Sequence, residues 1–143
     1  MGRPYGKSAL SAIVIAPDMS KYLEKIQDAG NNIDEACKEA VNAALPIVEK
    51  SMKEGAERHR KTGAVVGAIE STPAHMQGNL AIGSVGIDMN KHPEAIHGVY
   101  QEYGDGHSPE FPDPFVRPAV DDNKKEINAT IRGTLKEKGV PID

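Results

Sequence analysis

The longest amphipathic pattern in the sequence lies in its first half. Apolar residues recur there at steps of three and four, with mainly charged side chains between them. These apolar positions are Ile33, Cys37, Ala40, Val41, Ala44, Leu45, Val48 and Met52. The spacing predicts one long amphipathic helix over residues 32–59, about 40 Å in length at 1.5 Å per residue. Pro46 lies inside the pattern and is expected to kink the helix, because proline lacks a backbone donor.

A weaker pattern precedes this helix. Small and β-branched residues alternate up to Pro17, which predicts that residues 1–18 form an N-terminal arm or a short edge strand. A short helix is predicted next, capped by Asp18 or Ser20 and ending at Ala29. Both elements therefore come before the long helix.

The middle of the chain is predicted to hold the sheet, over residues 74–103. Apolar residues lie among glycines at strand-like spacing in residues 79–87. For residues 95–103 the sequence is compatible with either a second strand or a short helix. For residues 64–71 it is compatible with either a short helix or an extended link.

Proline and glycine mark the end of this region. Residues 104–114 are predicted to form a loop, because prolines and glycines interrupt any regular structure there. Apolar residues then return at helical spacing and predict a C-terminal helix over residues 115–138, with Lys136 and Lys138 in its last turn.

Composition favours a single small domain with a thin core. The 143 residues are predicted to form one domain, residues 1–143, and only six of them are aromatic. Such a core favours an oligomer, because neighbouring subunits then supply part of the stability.

The net charge of −4 gives no general attraction to nucleic acid or to a membrane. The apolar stretch at residues 8–16 is too short to span a bilayer, so no membrane contact and a cytoplasmic chain are predicted.

Five histidines raise the question of a metal site. His92 and His97 are five residues apart, a spacing that separates them on a helix and on a strand, and no cysteine cluster accompanies them. No Walker loop, GxSxG or dinucleotide-binding glycine pattern is present either. We therefore predict no catalytic residue, no metal and no cofactor. The rival from the enzyme class is a small hydrolase that uses His107 with Glu102 or Asp105.

Charge is segregated between two stretches of the sequence. Residues 50–61 carry five basic and two acidic groups, whereas residues 102–113 carry four acidic groups and no basic one. The two stretches can meet within one subunit or across a head-to-tail interface, and both arrangements remain open. The candidate interface residues are Arg58, Arg60, Lys61, Asp105, Glu110 and Asp113. The basic cluster also makes a weak contact with genomic DNA an alternative.

Three motifs that follow the long helix resemble those of a known family. They are a Thr-Gly before apolar residues, in KTGAVVGAI; an aromatic-rich segment that ends in Glu-aromatic-Gly, in HGVYQEYGDG; and a Pro-Phe-x-Arg-Pro-Ala, in FPDPFVRPAV. The matching residues are Thr62, Gly63, Glu102, Tyr103, Gly104, Pro114, Phe115, Arg117, Pro118 and Ala119. Over residues 20–138 the chain resembles the small tail-completion and head-tail joining proteins of long-tailed phages, the gene-product-ten-like group of minor tail proteins.

The resemblance implies both a fold and a function. The implied fold is α+β, with a small, mostly antiparallel sheet packed against a long N-terminal helix and a C-terminal helix. The implied function is that of a virion structural protein, a tail terminator-like ring subunit at the neck. Its implied partners are further copies of itself, with six as the suggested number, the tail tube protein and the head connector or adaptor proteins. The implied location is the virion neck, reached from the host cytoplasm during assembly.

The third motif has a physical interpretation of its own. Its prolines fix the backbone on both sides of Phe115 and Arg117. We expect Phe115 to anchor in the core just before the last helix. We also expect the Arg117 guanidinium to pair with Glu102 or, alternatively, with Glu110 or Asp113.

Overall fold

The long helix is present as α1 (Ile33–Glu57) in the computed structural model, which describes residues 10–18 and 33–142. Asp34 and Glu35 lie in its first turn, where the helix dipole favours negative charge. The helix continues through Pro46 without ending. The predicted arm before Leu10 and the predicted helix ending at Ala29 lie outside the described residues.

The sheet has three antiparallel strands, β1 (Leu10–Ile15), β2 (Glu70–Gln77) and β3 (Leu80–Ile87). β3 is the central strand, in the order β1-β3-β2. The turn between β2 and β3 contains Gly78 with a φ of 62°. Together with α1, which packs on the sheet, these strands confirm the predicted α+β class.

The predicted sheet region, residues 74–103, is wrong at both ends. The sheet begins earlier, at Glu70, and its last strand ends at Ile87. Residues 93–95 form a 3-10 turn, and the structure continues as helix α3 (Ile96–Tyr103). Of the two alternatives for this segment, the helix is therefore correct. The buried positions of this helix have helical spacing; they are Gly98, Gln101 and Glu102. Two of them are polar, so the pattern of hydrophobic residues alone did not predict the helix.

Two further segments are helical. Residues after the Thr62-Gly63 turn form the short helix α2 (Ala64–Ala68). The predicted C-terminal helix is divided into α4 (Arg117–Asp121) and α5 (Lys124–Glu137). Asn123 ends α4, because its side chain donates a hydrogen bond to the carbonyl of Ala119 and its backbone N–H donates to that of Val120.

The described residues divide into two compact units that share α1 and the three strands. The first unit comprises residues 10–12, 47–71 and 85–123, and the second comprises residues 13–18, 33–46, 72–84 and 124–142. The single-domain prediction remains a prediction.

The second unit has an aliphatic core. Val41 and Leu45 of α1 lie against Gly83 of β3, so closely that a Cβ at this glycine would be 2.9 Å from Val41 Cγ1. Cys37, one of the apolar positions of the helical pattern, is buried, and burial, with a further contribution from Asp34, raises its pKa. Ile127, Ile131 and Leu135 of α5 are buried as well.

The first unit is built around one aromatic residue. Phe115 is 2% exposed and lies against Gly55 of α1 and Gly98 of α3. A Cβ at Gly55 would be 2.7 Å from Phe115 Cβ, so only glycine allows this approach. The prediction that Phe115 anchors in the core just before the last helices is confirmed.

No helix in the described part of the chain is both long and apolar enough to cross a membrane.

Candidate interaction surface

A buried carboxylate organises the segment that contains the third motif. Glu102 of α3 is 3% exposed. Its Oε1 accepts hydrogen bonds from the backbone N–H groups of Phe115 and Val116, each at 2.8 Å, and Oε2 accepts a longer one from that of Arg117, at 3.4 Å. N–H groups at the start of a helix have no acceptor within the helix. Glu102 therefore caps α4 from a different element.

This contact overturns the expected ion pair between Glu102 and the Arg117 guanidinium. Both carboxylate oxygens face backbone N–H groups, including that of Arg117, while the Arg117 residue is exposed. The alternative pairings with Glu110 and Asp113 are also wrong: in the described part of the chain neither carboxylate pairs with Arg117, and Asp113 binds Arg58. The sequence placed Glu102 and Arg117 in one cluster correctly but assigned the wrong part of Arg117 to the contact.

Asp113 fastens the loop to the end of α1. Arg58 binds it in a bidentate manner, with Nε 2.9 Å from Oδ2 and Nη2 3.0 Å from Oδ1, and also donates to the carbonyl of Pro114. His59 Nε2 lies 2.8 Å from Asp113 Oδ2. The hydrogen bonds from Arg58 and then from His59 hold the pKa of Asp113 below its ordinary value, although partial burial opposes them.

Gln101 ties the same elements together. Its side-chain amide donates to the carbonyl of Gly55 at 2.9 Å, and its own carbonyl accepts the N–H of Asp113 at 2.7 Å. Gln101 is 2% exposed. Sequence reasoning missed this residue, since a glutamine in an unassigned segment gives no signal of burial.

The contact between Arg58 and Asp113 realises one of the two arrangements left open for the charged stretches, the one within a single chain. Arg60 pairs with Glu57 in the preceding turn, at 2.6 Å. Lys61 and Glu110 are exposed. Two of the three basic candidates thus have carboxylate partners in the same chain.

The two motif glycines have backbone conformations that favour glycine. Gly63 has a φ of 85° and Gly104 a φ of 90°. The Thr62 hydroxyl accepts the N–H of Ala64 at 3.3 Å, just before α2. Gly104 ends α3 and lies next to Pro112. These motif residues shape two turns.

The remaining motif residues belong to α4 and its approach. Pro118 lies at the start of α4, where its missing N–H costs nothing, and Ala119 is fully buried. Pro114 directly precedes Phe115, and its carbonyl receives Arg58.

Asp105 forms a local turn in the loop. It accepts hydrogen bonds from the side chain and backbone of Ser108 and from the backbone N–H of His107. These bonds, that of the Ser108 hydroxyl first, lower the pKa of Asp105 well below its ordinary range. His107 is largely exposed, with Nε2 3.7 Å from Asp105 Oδ2. Among the described residues, no group of three or more His, Cys, Asp or Glu side chains is placed to hold a metal ion.

An exposed apolar stripe follows α3. Ile96, Tyr100 and Tyr103 are 42%, 37% and 55% exposed and lie at helical steps of four and three, on one face. The ring of His97 contacts that of Tyr100 edge-on, with centroids 6.0 Å apart. The sequence singled out Tyr103 as a motif residue but missed the stripe, because the stripe exists only if residues 96–103 are helical.

A small, shallow cleft lies beside the Thr62-Gly63 turn. Residues of both charges line it, among them His59, Arg60, Lys61, Glu94 and His97. No polar side-chain atom in the described residues is buried without a hydrogen-bond partner, so no unsatisfied group points to a ligand there.

No family model, curated protein or solved structure matches this chain. The resemblance to phage tail-completion proteins therefore depends on the three motifs alone.

Proposed function

We propose that this chain is a head-tail joining or tail-completion protein of a tailed phage or prophage. It forms a homo-oligomeric ring at the neck, with six subunits as the suggested number. The ring caps the tail tube and docks it to the head connector. The observation that carries the proposal is the exposed stripe of Ile96, Tyr100 and Tyr103 on a helix whose buried side is held by hydrogen bonds of Gln101 and Glu102.

Hydrogen bonds of the motif residue Glu102 and of two residues outside the matched positions, Gln101 and Asp113, hold α3 on its buried side. Glu102 lies on the opposite side of α3 from the stripe, where it caps α4 through backbone N–H groups. Gln101 and Asp113 connect α3 and the loop to α1. In this arrangement the motifs that suggest the family have structural tasks, which suits a protein that acts by binding.

The stripe has the composition of a protein–protein interface. Tyrosine is enriched at interfaces because it combines a large apolar ring with a polar hydroxyl, and tyrosines often dominate the binding energy. A head-to-tail contact that uses such a stripe on every copy closes into a ring when the rotation between copies is suitable.

The first experiment measures assembly of the purified chain. Light scattering over a concentration series, with electron microscopy of the largest species, is expected to show closed rings. The double variant Tyr100→Ser and Tyr103→Ser is expected to lose the rings, whereas a matched control at two exposed positions of α5, Lys125→Ser and Lys136→Ser, is expected to keep them. Rings that persist in the tyrosine variant contradict the assigned surface.

The second experiment tests the location. Mass spectrometry of purified particles from a phage or prophage that encodes the chain is expected to detect it in the virion. Deletion of its gene is expected to yield filled heads and unattached tails. Intact infectious particles without the chain overturn the proposal.

A further inference from the structure

The two edges of the sheet differ in how they are protected. Edge strands expose unpaired backbone groups, and soluble proteins guard them with proline, charge or a covering side chain. β2 contains Pro73, and the N–H of Ala74 donates to Asn42 Oδ1 of α1 at 2.8 Å. β1, with the sequence LSAIVI, contains no proline and no charge. Among the residues that the structure describes, β2 therefore has edge protection that β1 lacks.

The geometry of β1 shows which backbone groups lie on its outer edge. Ala16 N–H donates to the carbonyl of Ala81 in β3, at 3.2 Å. Backbone groups in an antiparallel strand point alternately to either side, so those of Ser11, Ile13 and Ile15 point away from β3. In the described part of the chain no strand lies on that side. The side chains of Ile13 and Ile15 are also 37% and 46% exposed.

We propose that β1 pairs edge to edge with β1 of a second copy, in antiparallel orientation about a two-fold axis. Ile13 lies opposite Ile13 of the second copy, and Ser11 lies opposite its Ile15. The outward groups of the three residues then form roughly six backbone hydrogen bonds, two for each pair. The three strands of each copy join into one continuous sheet.

The strand is complementary to itself, which favours a second copy as the occupant. It carries no charge, so two copies do not repel each other along the edge. In the proposed register the isoleucines at positions 13 and 15 of both copies adjoin on one face, where each is exposed in the single chain. Burial of this cluster adds a hydrophobic contribution to the hydrogen bonds.

The contact is isologous, so it gives a dimer and does not by itself give a ring. It does not depend on the proposed function and uses a different surface from the stripe on α3. Its area is smaller than the roughly 800 Å² per partner of a standard stable interface, so a dimer that dissociates on dilution is expected.

Two variants and one control test the pairing by sedimentation velocity over a concentration series. Ile13→Pro removes the central outward donor but no hydrogen bond to β3. Ile13→Lys places like charges opposite each other across the axis. Each is expected to raise the dimer dissociation constant at least about tenfold. Ala129→Lys, which adds the same charge at an exposed position of α5, is expected to leave this constant unchanged.

Amide hydrogen exchange of the unaltered chain provides a second measurement, which does not depend on how the variants fold. The N–H groups of Ser11, Ile13 and Ile15 are expected to exchange slowly at high concentration and faster on dilution. Those of Ala12 and Val14, which face β3, are expected to stay protected throughout.

Dimers unaffected by Ile13→Pro, or outward amides that exchange at the same rate at all concentrations, overturn the pairing. A chain that is monomeric at every concentration also overturns it. Rings that survive Ile13→Pro while the outward amides stay unprotected contradict the β1 pairing and leave the proposed function standing.

Discussion

Glu102 shows how much one side chain contributes to the candidate surface. It is an acidic residue with almost no exposure, and such a residue is stable only when its oxygens are satisfied. The N–H groups of Phe115 and Val116 satisfy it, and it satisfies them in return. The segment that leads into α4 therefore depends on a residue of α3.

Replacement of Glu102 by alanine is expected to destabilise the fold by about 3 kcal/mol, because at least two buried N–H groups lose their acceptor. Urea unfolding followed by circular dichroism measures the change in the free energy of unfolding. Glu110→Ala, at an exposed position, serves as the control and is expected to change it by less than about 0.5 kcal/mol. Equal effects of the two substitutions contradict the capping role.

The pair formed by Arg58 and Asp113 has a smaller expected effect. The two side chains are 50% and 34% exposed, so water screens the pair. A double-mutant cycle with Arg58→Ala and Asp113→Ala is expected to give a coupling energy of about 0.5–1 kcal/mol. Additive losses of unfolding free energy indicate that the bidentate contact does not persist in solution.

The same contact predicts a dependence on pH. Arg58 and then His59 lower the pKa of Asp113 in the folded chain. The ionised carboxylate therefore contributes its full share to the free energy of unfolding at pH values above its unfolded-state pKa of about 3.9. This contribution is lost as the pH falls through the lower, folded-state pKa. The difference in unfolding free energy between the unaltered chain and Asp113→Asn is expected to be present at neutral pH and to shrink below about pH 4. A difference that grows on acidification contradicts this assignment.

At the scale of elements, close approaches decide which elements can pack together. Gly86 of β3 lies directly beside the backbone of β1: a Cβ there would clash with the carbonyl of Leu10 and lie 2.7 Å from Ser11 Cα. Backbone atoms cannot move aside as a flexible side chain can, so the pairing of these two strands requires glycine at this position.

Gly86→Ala is accordingly expected to destabilise the chain by about 2 kcal/mol or more, since the two strands must separate locally. The matched substitution Gly133→Ala lies in α5, where no atom is within 4 Å of the added Cβ. It is expected to stabilise the chain by about 0.5–1 kcal/mol through helix propensity. Thermal and urea unfolding of both variants measure whether the free energy of unfolding falls or rises. A Gly86→Ala variant with an unchanged free energy of unfolding contradicts the described pairing.

At the scale of the whole molecule, the surface proposed for ring formation is mainly apolar. Arg58 and Asp113, which sequence reasoning offered as candidates for a charged interface, contact each other within the chain. The proposed ring formation through Ile96, Tyr100 and Tyr103 is therefore expected to depend little on exposed charge pairs.

The mass of the assembled species is accordingly expected to change little between about 50 mM and 500 mM salt, a range over which the Debye length falls severalfold. Light scattering at constant protein concentration measures it. Dissociation at high salt contradicts the apolar interface and favours charge pairing between copies, with Lys61 and Glu110 as the exposed candidates.

The sequence by itself determined the features that depend on local spacing. The repeat of apolar residues specified α1 within two residues at its C-terminal end, and the apolar residues among glycines located β3. The third motif indicated that Phe115 enters the core. In each case, neighbouring residues in the sequence carry enough of the physical cause: helical or strand periodicity, or a proline that fixes the backbone.

Only the tertiary structure decided the contacts between distant residues. Spacing identified Glu102 and Arg117 as neighbours, but the choice between a guanidinium and three backbone N–H groups depends on where α4 begins relative to α3. The burial of Gln101 likewise depends on the carbonyl of Gly55, which is 46 residues away in the sequence. Hydrogen bonds form between groups that are close in space and correctly oriented, and a linear pattern of residue types does not contain that information.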